Sequence, residues 1–170
     1  MDLNLETEPT KPYTPDEAHL RLARLVGGWG GTARTFLDPA KPPLEERWEG
    51  RMALVLGGRF LRFAYRSQLL GSPLAGELSL AYEAGEGLWR SSWVDSFHTG
   101  TAILMSVGEG GPAAQPVSVR GSYFAAPGHP HWGWRTELHD GEAGRLTLRM
   151  YNLSPEGQED LGVEVVLSRA

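Results

Sequence analysis

From Trp29 onward, apolar and polar residues alternate with a period of two, the pattern of strands that bury one face. Leu61, Phe63 and Tyr65 oppose Arg62, Ala64 and Arg66, and Leu78, Leu80 and Tyr82 oppose Glu77, Ser79 and Ala81. Trp89, Ser91, Trp93 and Asp95 share a face, as do Val117, Val119 and Tyr123, and then Trp132, Trp134, Thr136 and Leu138. Leu146, Leu148 and Met150 oppose Arg145, Arg149 and Tyr151, while Val163, Val165 and Leu167 oppose Glu164 and Ser168. A run over 101–107 is apolar on both faces and leaves its inward side open. Nine turn signals, from 38–43 to 154–157, separate ten candidate strands at the spacing of an antiparallel sandwich or barrel. Short connections imply up-and-down order, and closure into a barrel removes the exposed edges such a sheet would otherwise have.

One stretch departs from this period. Thr14-Pro15-Asp16-Glu17 reads as a helix start, with Thr14 as the cap, Pro15 at the first helical position and Glu17 completing a capping box. Ala18, Leu22, Leu25 and Val26 form one apolar stripe, with Arg21 and Arg24 on the other face and His19 as a surface histidine. Gly27-Gly28 ends the helix. Trp29 then stands inside Gly27-Gly28-Trp29-Gly30-Gly31, a junction where backbone passes close to backbone and the indole plugs one end of the sheet. The predicted fold is therefore all-β, about ten antiparallel up-and-down strands with a short N-terminal helix closing one end. Residues 1–13, polar and containing Pro9 and Pro12, are expected to form a flexible lead-in, and 14–170 a single barrel domain.

Composition narrows the function classes. With 170 residues the chain can bury a real core, and with no cysteine it has neither disulfides nor thiolate metal sites. A net charge of −5 with scattered arginines speaks against nucleic acid, and no apolar run is long enough for a membrane-spanning helix. The N-terminus lacks a basic start and an apolar run, so a cytoplasmic protein is expected.

If the apolar strand faces point inward, the lining is aromatic with isolated polar groups, the chemistry of a small-molecule pocket and also of an ordinary β-core. Tyr65, Trp93, Asp95, Tyr123 and Trp134 are the candidate ligand-binding residues, accompanied by Tyr82 and Thr136. Asp95 lies on the face of Trp93, and a buried carboxylate needs partners. Arg149, Arg135, a tyrosine hydroxyl or a ligand could supply them; the simpler reading has Asp95 bonding the turn over 96–99. His129 and His131 could share a metal only with a third ligand, such as His98, His139 or a carboxylate, so no metal site is assigned. A nucleophile elbow and a phosphate-binding loop are both missing.

Several of these motifs occur together in order. Leu25-Val26-Gly27-Gly28-Trp29-Gly30-Gly31-Thr32, Leu56-Gly57-Gly58-Arg59-Phe60-Leu61, Trp93-Val94-Asp95-Ser96, and Met150-Tyr151 before Pro155-Glu156-Gly157 resemble a bacterial lipocalin-like family known only as a domain of unknown function. The resemblance spans about residues 18–169 and implies a calycin-type barrel without an established activity. A more distant similarity is to nitrobindin-like haem barrels, through Gly27, Gly28, Trp29 and Gly31. Those proteins place a haem-ligating histidine near the C-terminal strand, where this chain has Val163-Glu164-Val165-Val166-Leu167 and no histidine after His139. No cofactor, haem included, is therefore carried over. The expectation is a non-enzymatic barrel binding a small, partly apolar molecule. The alternatives are a barrel isomerase or hydratase using Asp95 as general base, and a homodimer joined through the doubly apolar sixth strand.

Overall fold

The computed structural model describes residues 13–38 and 40–170. Apart from Tyr13, the expected lead-in lies outside the described residues. The helix is α1 (Glu17–Ala23), and the strands are β1 (Gly27–Thr35), β2 (Leu44–Val55), β3 (Phe60–Leu69), β4 (Ser72–Glu83) and β5 (Leu88–Asp95). They continue as β6 (Leu104–Gly108), β7 (Val117–Tyr123), β8 (Trp132–His139), β9 (Arg145–Leu153) and β10 (Glu159–Arg169). Each strand pairs antiparallel with its sequence neighbours, and β1 pairs with β10 to close the barrel.

The alternation dictates what fills it. Leu61, Phe63, Leu80, Trp89, Val117, Leu146, Leu148 and Val165 are among the buried inward residues. The sixth strand resolves as well: Leu104 and Ser106 face in, while Met105 and Val107 are exposed outside. Glu164, outward on β10, is clamped by Arg34 of β1 and by Arg149 of β9 at 2.9 Å, and the Arg34 contact holds its carboxyl below the ordinary range. No helix among the described residues is long and apolar enough to cross a membrane.

Because strand direction alternates, α1 and the turns 56–59, 84–87, 109–116 and 140–144 gather at one end. The loops 36–43, 70–71, 96–103, 124–131 and 154–158 gather at the other. The helix end is plugged as the glycine-flanked Trp29 suggests. Trp29 is buried, donates its Nε1–H to the Leu25 carbonyl at 2.8 Å, and carries the Arg169 guanidinium 4.7 Å above its ring. At Gly31 an added Cβ would overlap the Val166 carbonyl oxygen and lie 3.0 Å from Leu167 Cα, so β1 and β10 approach only because glycine is there.

The helix differs from expectation at both ends and along its faces: it stops at Ala23 with Arg24 as its C-cap, ahead of Gly27-Gly28. The N-cap is Asp16, not Thr14: its carboxylate accepts the His19 backbone N–H at 3.1 Å. His19 is buried rather than on the surface, because its Nδ1 lies 2.6 Å from the same carboxylate and its ring meets Tyr13 edge-on at 5.0 Å. Arg21 is also buried, on the face shared by Ala18, Leu22 and Leu25, while Val26 is exposed. Acceptors at the barrel rim make that burial affordable: the guanidinium binds both oxygens of Asp140 and the carbonyls of Pro112 and Ala114.

Candidate functional site

The site is built from one cross-strand row. Tyr65 of β3, Gly76 of β4 and Asp95 of β5 are register partners, and all lie near the end opposite the helix. A Cβ on Gly76 would overlap the Tyr65 hydroxyl and lie 2.6 Å from Asp95 Cβ. Glycine therefore opens the row so that the phenol and the carboxylate can meet across it. Tyr65 Oη donates to Asp95 Oδ2 at 3.3 Å and itself accepts the Trp93 indole N–H at 2.7 Å. Trp48 stacks on the other side of Tyr65, with ring centroids 4.3 Å apart.

Asp95 ends β5 and folds the following loop around itself. Its Oδ1 accepts the backbone N–H groups of Phe97 at 3.0 Å, of His98, and of Thr99 at 3.2 Å. Thr99 Oγ1 in turn accepts the Asp95 N–H at 2.8 Å. His98 Nδ1 lies 2.6 Å from Asp95 Oδ2. The turn reading and the tyrosine-hydroxyl reading of Asp95 thus both hold. The arginine reading does not, because Arg149 is engaged with Glu164 and Arg135 with Glu137 and Glu159. Burial alone would raise the Asp95 pKa, but the His98 contact and the loop N–H groups outweigh it and leave the carboxyl below its ordinary value. Burial, reinforced by the Asp95 charge, pushes the Tyr65 hydroxyl strongly up, so it remains a proton donor.

Beside this row a cavity of about 700 Å³ opens between the loop 96–103 and the side formed by Ser122, Tyr123, Phe124, Trp134 and Asn152. Its walls include Trp93, Tyr123 and Trp134 among the residues expected from sequence, together with His98, Leu104 and Asn152. Trp93 and Trp134 stack at 5.4 Å, and His98 packs 5.3 Å from Trp93. Tyr123 donates to Asn152 Oδ1 at 2.7 Å, and burial raises its pKa. The Trp134 indole N–H is buried and unpartnered. Among the described residues, no Asp, Glu, Lys or Arg side chain lines the cavity.

Tyr65 and Asp95 therefore stand behind the wall and orient it. Tyr82 belongs to the other end, where it packs 5.0 Å from Trp89. The waist is nearly solid, since the void bordered by Leu78, Ser91, Thr136 and Leu148 is only about 10 Å³. Among the described residues no three histidine or acidic side chains converge as metal ligands, and His131 instead meets Phe124 edge-on. His98 is the wall residue that sequence reasoning treated only as a turn or metal residue. Its signal was present in the spacing Asp95-Ser96-Phe97-His98, which returns the imidazole to an inward carboxylate.

The chain belongs to the family described as "Protein of unknown function (DUF1579)", whose model matches residues 14–169. Among solved structures it is similar to Rv2717c from M. tuberculosis, at 18% identity and a TM-score of 0.61. That match covers 92% of this chain and 99% of the other, and it shows a shared fold. A search of curated proteins finds no match.

Proposed function

We propose that this protein binds a small, partly apolar molecule in the open-end cavity. The observation that carries the reading is an aromatic-walled space of about 700 Å³ beyond the packed waist of the barrel, whereas the hollow of about 530 Å³ at the helix end is lined by Arg24, Asp140, Glu142, Arg145 and Arg169. That volume falls within the usual range for small-molecule sites, and rigid rings with few polar groups are their usual lining. Use of Asp95 as a general base is the weaker reading. Five donors already surround its carboxylate, and a carboxyl held below its ordinary pKa is a poor proton acceptor near neutrality.

Incubation of the purified protein with a small-molecule extract, followed by native mass spectrometry, tests the reading. A retained adduct is expected, and Ala102→Trp at the mouth should abolish it. Undiminished retention by that variant would place binding elsewhere, and an unmodified mass throughout would overturn it. The exposed row Ile103, Met105 and Val107 favours a second reading, association of two copies along β6. Sedimentation velocity over a dilution series checks this; a monomer at every concentration would remove it.

A further inference from the structure

We infer that His98, held by Asp95, is the polar anchor of the cavity, and that the cavity takes an uncharged planar molecule bearing a phenolic or enolic hydroxyl. This rests on the binding reading above and specifies its chemistry.

Asp95 has no proton to give. Its carboxylate lies in a nest of donors, with the Phe97, His98 and Thr99 N–H groups on Oδ1 and the Tyr65 hydroxyl on Oδ2. An ionised carboxylate only accepts, so the 2.6 Å contact from His98 Nδ1 requires the proton on that nitrogen. In the uncharged imidazole, Nε2 is then a lone-pair acceptor. It has no hydrogen-bond partner among the described residues, and the ring is part of the cavity wall. The Trp93–Tyr65–Asp95 chain behind the wall fixes this arrangement from the inside. Asp95 is accordingly a positioning residue, which acts through the tautomer and orientation of His98.

The other wall groups set the ligand class. Stacked Trp93 and Trp134 favour a flat, conjugated body. Because no Asp, Glu, Lys or Arg among the described residues lines the space, a carboxylate or phosphate would enter without a counter-ion from them, which disfavours it against a neutral molecule. A hydroxyl proton donated to His98 Nε2 completes the anchor, and the Asn152 amide, whose oxygen is occupied by Tyr123, leaves its N–H groups for a ligand acceptor.

The test compares 2-naphthol with 2-methoxynaphthalene, two flat probes that differ in the hydroxyl proton, by quenching of tryptophan fluorescence. The wild-type protein should bind 2-naphthol about fivefold to tenfold more tightly, the worth of one hydrogen bond. His98→Phe should erase that preference and leave 2-methoxynaphthalene affinity within about twofold. Asp95→Asn, whose amide N–H would face Nδ1 and drive the proton to Nε2, should erase it too. ¹⁵N NMR of the wild-type imidazole is the second readout, independent of whether either variant keeps the loop folded. It should show the Nδ1–H form, with the Nε2 signal moving on addition of 2-naphthol and staying in place with 2-methoxynaphthalene. Equal affinities for both probes, a preference that survives His98→Phe, or an Nε2–H imidazole would each overturn the anchor while leaving the cavity reading intact. Failure of both probes to bind would overturn both.

Discussion

The two ends of the barrel use the same kinds of residue to opposite effect. At the helix end Trp29 and Trp89 spend their indole N–H groups on the carbonyls of Leu25 and Gly111, within the turns they cover. A buried ion pair there, Arg21 with Asp140, ties the helix to the rim. At the open end Trp93 spends its N–H on a tyrosine hydroxyl that leads to Asp95, while Trp134 spends its own on nothing. The acid there holds a histidine on a cavity wall instead of an arginine in a plug. Indole N–H groups bonded within the turns close one end, and a set with an unpartnered indole N–H lines the other. The difference lies in what remains available to a ligand.

The contrast can be broken most severely at the plug. Replacing Arg21 by Met leaves the Asp140 carboxylate buried without its cation and should cost about 3–5 kcal/mol in urea unfolding. Adding Asp140→Asn should recover most of that loss. A single variant as stable as wild type would show that the pair does not fasten the helix.

A smaller effect is expected at Asp95, where Asn should cost about 1.5–3 kcal/mol at neutral pH through loss of charge-assisted hydrogen bonds. Its folded pKa lies below the unfolded value, so its contribution is complete above the unfolded pKa near 4 and is lost as pH falls through the folded one. Asp140 and Glu164 are shifted in the same direction and add to the acid limb. The gap between wild type and Asp95→Asn should therefore narrow on acidification, as read from unfolding curves at a series of pH values. A gap of constant width would mean that Asp95 is not stabilised as the anion.

The smallest expected effect sharpens the comparison of the indoles. Trp89→Phe deletes a hydrogen bond and Trp134→Phe deletes none, so the first should cost about 1 kcal/mol more than the second. Differential scanning calorimetry of the two variants decides it; equal costs would mean that the Trp134 N–H has a partner after all, a water for example.

Much of this was legible in the chain because the strand period is short and local. The inward faces of Leu61, Phe63 and Tyr65 or of Trp93 and Asp95 follow from alternation alone, and every turn signal falls at a strand connection. Burial of Arg21 was not legible, since its acceptors come from Pro112, Ala114 and Asp140, far along the chain, and only closure of the barrel delivers them. The same holds for Gly76, an unremarked residue until the register sets it between Tyr65 and Asp95. His98 fell between these cases. Its spacing from Asp95 was readable, but which ring nitrogen the carboxylate would hold depended on the loop conformation.

The seam between β1 and β10 also governs the order of assembly. Nine of the ten strand pairings join neighbours in sequence and can form as each hairpin emerges, whereas β1 must wait for β10. During synthesis one edge of β1 stays unpaired for most of the chain's length, the condition under which exposed strands recruit wrong partners. Its sequence, Gly-Gly-Trp-Gly-Gly-Thr-Ala-Arg-Thr, makes it a poor template on its own, because glycine disfavours the extended state. Gly31 then admits the backbone of β10 closely enough to complete the ladder. The glycines that make room for the seam in the finished barrel also keep it quiet until its partner arrives.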